Sequence, residues 1–382
     1  MDKIKLIYIT TDNINAVQEG QVYKLLEYYQ SQDIFSDIVL FQPYSNQAIL
    51  DKARNMLSKY SFRREYFYAR PLAPNKYYAT IKSLKNLLAK EMTDNSVIHS
   101  RGNVTSPFIR KALPLQFKDA YILTEFRGLL LDELKVAHKH RPIDYMLAYG
   151  VKVPYARCIL RKLYRDKGVH ITAVSPLFKQ LIEKEGVSAE KVCVHPNIVS
   201  SDFVFNEEHR REIREKYGLT ESQLVAVMSS GGGSVWQKDQ EVMKRLLQMG
   251  FVIFNLGKHK VEQEGVINEF LPRDLMPKYL AAADVAVLWR DDIPLNNVAC
   301  PSKFGEFVTM GLYVIHNGSV AIAKEFIEKN EAGIIVSNPK DIQIDKLKLG
   351  LDVRRIRCKA GYDMFSVECI AKSYIDHYLN KN

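Results

Sequence analysis

Short apolar runs alternate with amphipathic stretches along this chain, and no other feature narrows its fold so far. Strands are expected at residues 4–9, 37–41, 65–69, 96–99, 120–124, 170–174 and 192–195. Helical patterns lie between them, at 22–30, 47–59, 77–90 and 144–164. A charged stretch over 207–216, ending at Gly218, reads as a linker and the opening of a second domain. The pattern then repeats, with strands at 224–228, 251–256, 285–288 and 312–315. Its helices are expected at 240–249, 275–283, 303–310, 323–329, 353–362 and 366–379. Strands apolar nearly end to end and separated by helices belong in parallel sheets covered on both faces. The expected class is α/β, with two Rossmann-like, doubly wound domains across a cleft. A chain of 382 residues has room for two domains at about 100–200 residues each. We divide it at 1–198, 199–365 and a last helix, 366–382.

Composition removes several classes. With 47% apolar and 26% charged residues the chain is not a disordered polymer. No apolar run approaches the roughly 18 residues of a membrane span. The opening MDKIKLIYIT reads as a buried strand, not a secretory signal. Five cysteines at 158, 193, 300, 358 and 369 stand far apart with no CxxC, so thiols in a reducing compartment are expected and structural zinc is not. His138 and His140 are the one close histidine pair, and a solvated helix face explains them.

The net charge of +10 is uneven. Residues 1–200 hold 30 basic and 19 acidic side chains, whereas the remainder hold 24 and 25. Over 52–90 ten basic residues face a single acid, Glu65, and are interleaved with Tyr60, Phe62, Tyr66, Phe67, Tyr68, Tyr77 and Tyr78. Basic plus aromatic suits nucleic acid or an anionic bilayer, and equally a solvated face over ordinary core rings. Nucleic acid would not account for the near-neutral second half, so none is expected as a partner.

Two motifs carry chemistry. After the strand at 224–228 comes Ser229-Ser230-Gly231-Gly232-Gly233-Ser234, with Lys238 in the first turn of the next helix. Glycine lets backbone N–H groups approach a phosphate, and a helix N-terminus favours negative charge there. The second is Pro301-Ser302-Lys303-Phe304-Gly305-Glu306-Phe307, then Gly311. Ser302 is a plausible N-cap, which sets Lys303 and Glu306 on one helical face, suited to phosphate and ribose hydroxyls or to a surface ion pair. Asp291-Asp292 reads as loop, so no metal site is expected.

The stretch 275–315, with Ala283-Asp284-Val285, Leu288-Trp289-Arg290, Asn297 to Lys303, Glu306 and Gly311, resembles the donor-binding region of retaining glycosyltransferases of family 4. His99-Ser100-Arg101-Gly102 and Glu125-Phe126-Arg127-Gly128, with Glu133 beyond, look like segments of bacterial surface-polysaccharide members. The resemblance implies the GT-B fold, with the last helix packing back on the first domain. It also implies donor contacts from Gly231, Gly232, Gly233, Ser234, Lys238, Arg290, Ser302, Lys303 and Glu306, and acceptor contacts from Arg101, Glu125 and Arg127. Lys238, Glu306 and Arg127 would act in catalysis, Lys238 on the departing diphosphate. Two family positions differ: Val298 stands where a first glutamate is common, and Gly233 where some members have arginine.

The expected activity is a retaining, metal-independent transfer from a nucleotide-diphosphate sugar to a lipid-linked or surface-glycan acceptor. No cofactor beyond that co-substrate is expected. The expected place is cytoplasmic, at the anionic inner face of the membrane. A catalytically silent binding subunit, suggested by Val298 and Gly233, and a nucleotide-sugar epimerase are the alternatives.

Overall fold

The computed structural model describes residues 3–12, 14–137, 142–228 and 240–380. The chain forms two units, Met1–His195 with Ala371–Asn382, and Pro196–Ile370. The first contains strands β1 (Ile4–Thr10), β2 (Phe35–Tyr44), β3 (Arg63–Tyr68), β4 (Ser96–Arg101), β5 (Ile122–Phe126), β6 (Val169–Ala173) and β7 (Val192–Val194). They lie in the order β3-β2-β1-β4-β5-β6-β7, every neighbouring pair parallel. β4 is buried along its whole length, as a strand covered on both faces must be. The order reverses between β1 and β4, and ligands in open parallel sheets sit beyond the carboxyl ends of strands at such a reversal.

The second unit has β8 (Val225–Met228), β9 (Val252–Asn255), β10 (Val266–Asn268), β11 (Val285–Leu288), β12 (Tyr313–His316) and β13 (Gly333–Ile335). Its order is β10-β9-β8-β11-β12-β13, also parallel, with the reversal between β8 and β11. Ala226, Met228, Ile253, Val285 and Ile315 pack with Val242 and Leu246 of the helix Gln240–Gln248 in its core. Two Rossmann-like units are what the alternating pattern implied.

The last helix, Val367–Leu379, enters the first unit from Ala371 onward. Tyr378 Oη lies 2.5 Å from His99 Nδ1 and 3.3 Å from Tyr29 Oη. The Tyr374 ring stacks on His195 with centroids 4.2 Å apart.

Several elements depart from expectation. Edge strands β10 and β13, half-buried along their three residues, lie outside the expected strands, whereas the equally short β7 is among them. The helices Thr105–Ala112, with Pro107 in its first turn, and Leu130–Ala137 lie outside the expected helices, although Ser302–Thr309 of the same length is among them. The helix expected at 22–30 begins earlier, at Ala16, where Asn15 accepts from the Gln18 N–H, and Glu19–Tyr23 forms a π turn inside it. The stretch 144–164 is broken into Pro142–Leu147, a π turn Ala148–Lys152 and Val153–Tyr164. Ser302 is not an N-cap: Pro301 holds that position, and Ser302 is the first helical residue.

Candidate functional site

The carboxyl edge of the second sheet carries a pocket of about 650 Å³. Its walls come from the loops after β11 (Trp289, Arg290, Asp291, Asp292), β12 (Asn317) and β13 (Ser337, Asn338, Pro339), and from Gln240 and Glu241 at the start of a helix. Short polar side chains shape these loops. Asn317 Nδ2 donates to the Arg290 carbonyl at 2.6 Å, and Ser319 Oγ donates to Asn317 Oδ1 at 2.8 Å. Asn296 Nδ2 donates to the Asp291 carbonyl at 2.8 Å, and Asn297 Nδ2 to Asp292 Oδ1 at 2.7 Å. His316 Nδ1 lies 2.6 Å from the Leu288 carbonyl and its Nε2 accepts from the Val320 N–H, which ties β11 to β12 where the pocket opens.

Arg290 is the residue among these walls that the sequence singled out. Its Nη1 has one long contact, 3.4 Å to Asn296 Oδ1, and its buried Nε has no hydrogen-bond partner. Burial pulls its pKa down from the ordinary arginine value, and no carboxylate among the described residues opposes that. A guanidinium held in this way is suited to a doubly charged ligand anion.

The helix Ser302–Thr309 carries Ser302 and Lys303 in its first turn, both half-buried. Glu306, one turn on, is 6% exposed. Its Oε1 accepts from Arg273 Nη1 at 2.9 Å, and Arg273 lies over the Phe203 ring, 5.1 Å from its centroid. Arg273 Nε and Nη2 are buried without hydrogen-bond partners. Sequence reasoning missed Arg273, which stands 33 residues from its partner with no motif around it. Gly231, Gly232, Gly233, Ser234 and Lys238, and also His138 and His140, lie outside the described residues.

In the first unit Arg101, Glu125 and Arg127 converge beside the β1/β4 reversal. Glu125 Oε2 accepts from Arg101 Nη1 at 2.7 Å and lies 3.2 Å from Arg127 Nη1. Its Oε1 accepts from Tyr8 Oη at 2.7 Å and lies 2.9 Å from His99 Nε2. Arg101 Nε donates to Asp12 Oδ2 at 2.9 Å. Burial alone would raise the Glu125 pKa, but the Arg101 and Arg127 guanidiniums hold it well below the ordinary carboxylate range. Glu125 is 2% and Arg101 4% exposed. Arg127, bonded to Gln21 Oε1 at 3.2 Å, keeps more side-chain surface, 18%. The carboxylate beside Arg127 is Glu125.

The basic stretch 52–90 is partly neutralised by acids from elsewhere in the chain and by its own Glu65. Arg63 pairs with Asp37 and Glu91, Lys59 with Glu19, and Lys90 with Glu65. Tyr60, Phe62 and Phe67 are core residues, and Tyr78 is exposed. Exposed apolar side chains gather instead at Ile143, Met146, Leu147, Tyr149 and Val151, just before the exposed Arg157, Arg161, Lys162 and Arg165.

No family model matches this chain, and no curated protein matches it in sequence. Solved structures match over its full length. A glycosyltransferase from Rickettsia africae superposes with a TM-score of 0.71 at 14% identity, covering 100% of this chain and 99% of that one. Anabaena Alr3699/HepE, solved in complex with UDP-glucose, gives 0.66 at 12%, over 99% and 100%. The UDP-GlcNAc 2-epimerase of Neisseria meningitidis, bound to UDP-GlcNAc, gives 0.57 at 11%, over 99% and 100%. The chain therefore has the fold of these proteins, two Rossmann-like domains of GT-B type.

Proposed function

We propose that this protein is a glycosyltransferase that takes its sugar from a nucleoside diphosphate and passes it, with retention, to a lipid-linked or surface-glycan acceptor. One observation carries the reading. Arg290, half-buried with its Nε enclosed and paired to no carboxylate among the described residues, lines a pocket at the carboxyl edge of the second sheet. A protein of the same fold was solved with UDP-glucose. The pocket has Trp289 as an apolar wall for a base or sugar ring and Arg290 for the diphosphate. Lys303 and the segment Gly231–Ser234 with Lys238 supply further positive charge and N–H groups to the same diphosphate. Glu306, oriented by Arg273, takes the ribose hydroxyls.

Bond breaking at the anomeric carbon leaves charge on the departing diphosphate, so fixed cations that meet it there lower the barrier. Lys238, Arg290 and Lys303 take that role in place of a divalent ion. In the first unit Arg127 meets the acceptor, while the Arg101–Glu125 pair fixes where Arg127 stands.

The test is transfer from a panel of UDP- and GDP-sugars to a membrane lipid extract, read as labelled glycolipid. Transfer that is abolished in Lys238→Ala, with nucleotide binding retained, supports the reading. Donor binding without transfer points to a binding subunit, which the valine at position 298 favours. Conversion of the donor to its epimer, without an acceptor, places the protein with the epimerases of this fold. Mg²⁺ or Mn²⁺ added to chelator-treated protein leaves turnover unchanged if the fixed cations suffice.

A further inference from the structure

We infer that Cys193, His195 and His377 form a binding site for a thiophilic divalent cation, of which Zn²⁺ is the best match. The three offer one thiol and two imidazoles whose ligand atoms all lie within 4.8 Å of one another. Cys193 is on the edge strand β7, His195 follows that strand directly, and His377 comes from the last helix. All three belong to the first unit, although 182 residues separate the two histidines.

The geometry fits the ion. Cys193 Sγ lies 3.5 Å from His195 Nδ1. In a tetrahedral zinc site, with Zn–S about 2.3 Å and Zn–N about 2.0–2.1 Å, sulfur and nitrogen ligands stand about 3.5 Å apart. His377 is half-exposed near the end of its helix, with its ligand nitrogen within 4.8 Å of the other two ligand atoms. The second shell is in place as well. His195 Nε2 lies 2.9 Å from Ser373 Oγ, and when it donates to that hydroxyl the unprotonated Nδ1 faces the ion. The Tyr374 ring stacked on His195 holds the imidazole plane.

Thr172 Oγ1, 2.8 Å from His195 Nδ1, is the contact the ion replaces. Binding exchanges the Cys193 S–H bond for a metal–sulfur bond and releases that proton to solvent. One thiolate and two imidazoles select zinc over magnesium or calcium, which prefer oxygen ligands. The bound ion ties the returning helix to β7 beside His195, the last residue before the chain leaves this unit.

The experiment loads the chelator-stripped full-length protein with Co²⁺ and follows its absorption spectrum, then repeats the titration with Zn²⁺ by calorimetry. The inference requires one equivalent, a near-ultraviolet thiolate-to-cobalt band and the intense visible bands of four-coordinate cobalt. Cys193→Ser abolishes the thiolate band, and His377→Gln weakens binding about a hundredfold or more. Cys158→Ser, an exposed thiol elsewhere, leaves both unchanged. Because His377 is half-exposed, its variant decides the matter even if Cys193→Ser misfolds. Absence of stoichiometric binding at micromolar metal, the weak bands of six-coordinate cobalt, or wild-type binding by His377→Gln overturns the site.

Discussion

Enclosing part of a guanidinium with no paired carboxylate costs stability, and among the described residues Arg290 is held that way by loops that bond to its backbone but barely to its head. Arg290→Met keeps the side-chain bulk and removes the charge. It is expected to melt at the same temperature as the native protein or higher, while affinity for a nucleoside diphosphate falls about tenfold to a hundredfold, or about 1.5–3 kcal/mol. Melting curves with and without UDP read both effects; a lower melting point with unchanged affinity makes Arg290 structural. Glu91 is the opposite case. Burial raises its pKa, but Lys5 and Arg63 outweigh that and bring it from 4.5 down to about 2. A carboxyl depressed on folding stabilises the native state fully above its unfolded pKa and loses that contribution as pH falls towards the folded one. Urea midpoints are thus expected to drop between about pH 4.5 and 2, and Glu91→Gln to flatten that drop while lowering stability at pH 7. An unchanged slope in the variant rules Glu91 out as its source.

The helix Ser302–Thr309 presents Lys303 and Glu306, and its position depends on glycines that admit no side chain. A Cβ on Gly361 would overlap the Val308 backbone, and one on Gly305 would stand 2.9 Å from Val199 Cγ2. Gly361→Ala is expected to destabilise the second unit by about 1–3 kcal/mol through overpacking, and to weaken nucleotide binding by shifting this helix. Wild-type melting and binding would show that the helices separate freely. Another element-level expectation concerns the exposed apolar run 143–151 beside Arg157, Arg161, Lys162 and Arg165. Side chains in this arrangement suit the interface of an anionic bilayer better than the 52–90 stretch, where Tyr60, Phe62 and Phe67 are buried and the cations are partly paired. Co-sedimentation is expected with anionic vesicles at low salt, fading as salt rises, and lost in an Ile143→Ser, Met146→Ser, Leu147→Ser triple variant. Binding that the triple variant retains assigns the contact elsewhere. Element positions were largely legible because buried parallel strands such as Val285–Leu288 are continuous apolar runs, found at the residues expected. The edge strands β10 and β13 are half-buried and Thr105–Ala112 carries Pro107 in its first turn, so the pattern that marks a covered strand or a helix is weaker there.

Across the whole molecule, local motif and long-range partner divide what a sequence tells. Arg290 and Glu306 stand out from nearby residues, but Arg273 beside Glu306, or Tyr8 and His99 around Glu125, are partners only once the sheets form. The Cys193–His195–His377 cluster shows the same limit, because the returning helix brings His377 beside two residues of the β7 edge that lie 182 residues away or more. Charge was legible as a total and less so as a surface, because acids distant in sequence pair with residues such as Lys59 and Arg63. The central claim is that the second unit binds a nucleoside diphosphate sugar through its diphosphate, and calorimetric titration of the full-length protein tests it most directly. The titrants are uridine, UDP, UDP-glucose, UDP-GlcNAc and GDP-mannose, each repeated with Arg290→Met. The account predicts saturable one-to-one binding of at least one nucleotide sugar and its diphosphate, no comparable binding of the nucleoside, and about tenfold to a hundredfold loss in the variant. Folded protein that binds none of these at millimolar concentration, or binds them equally well without Arg290, contradicts it.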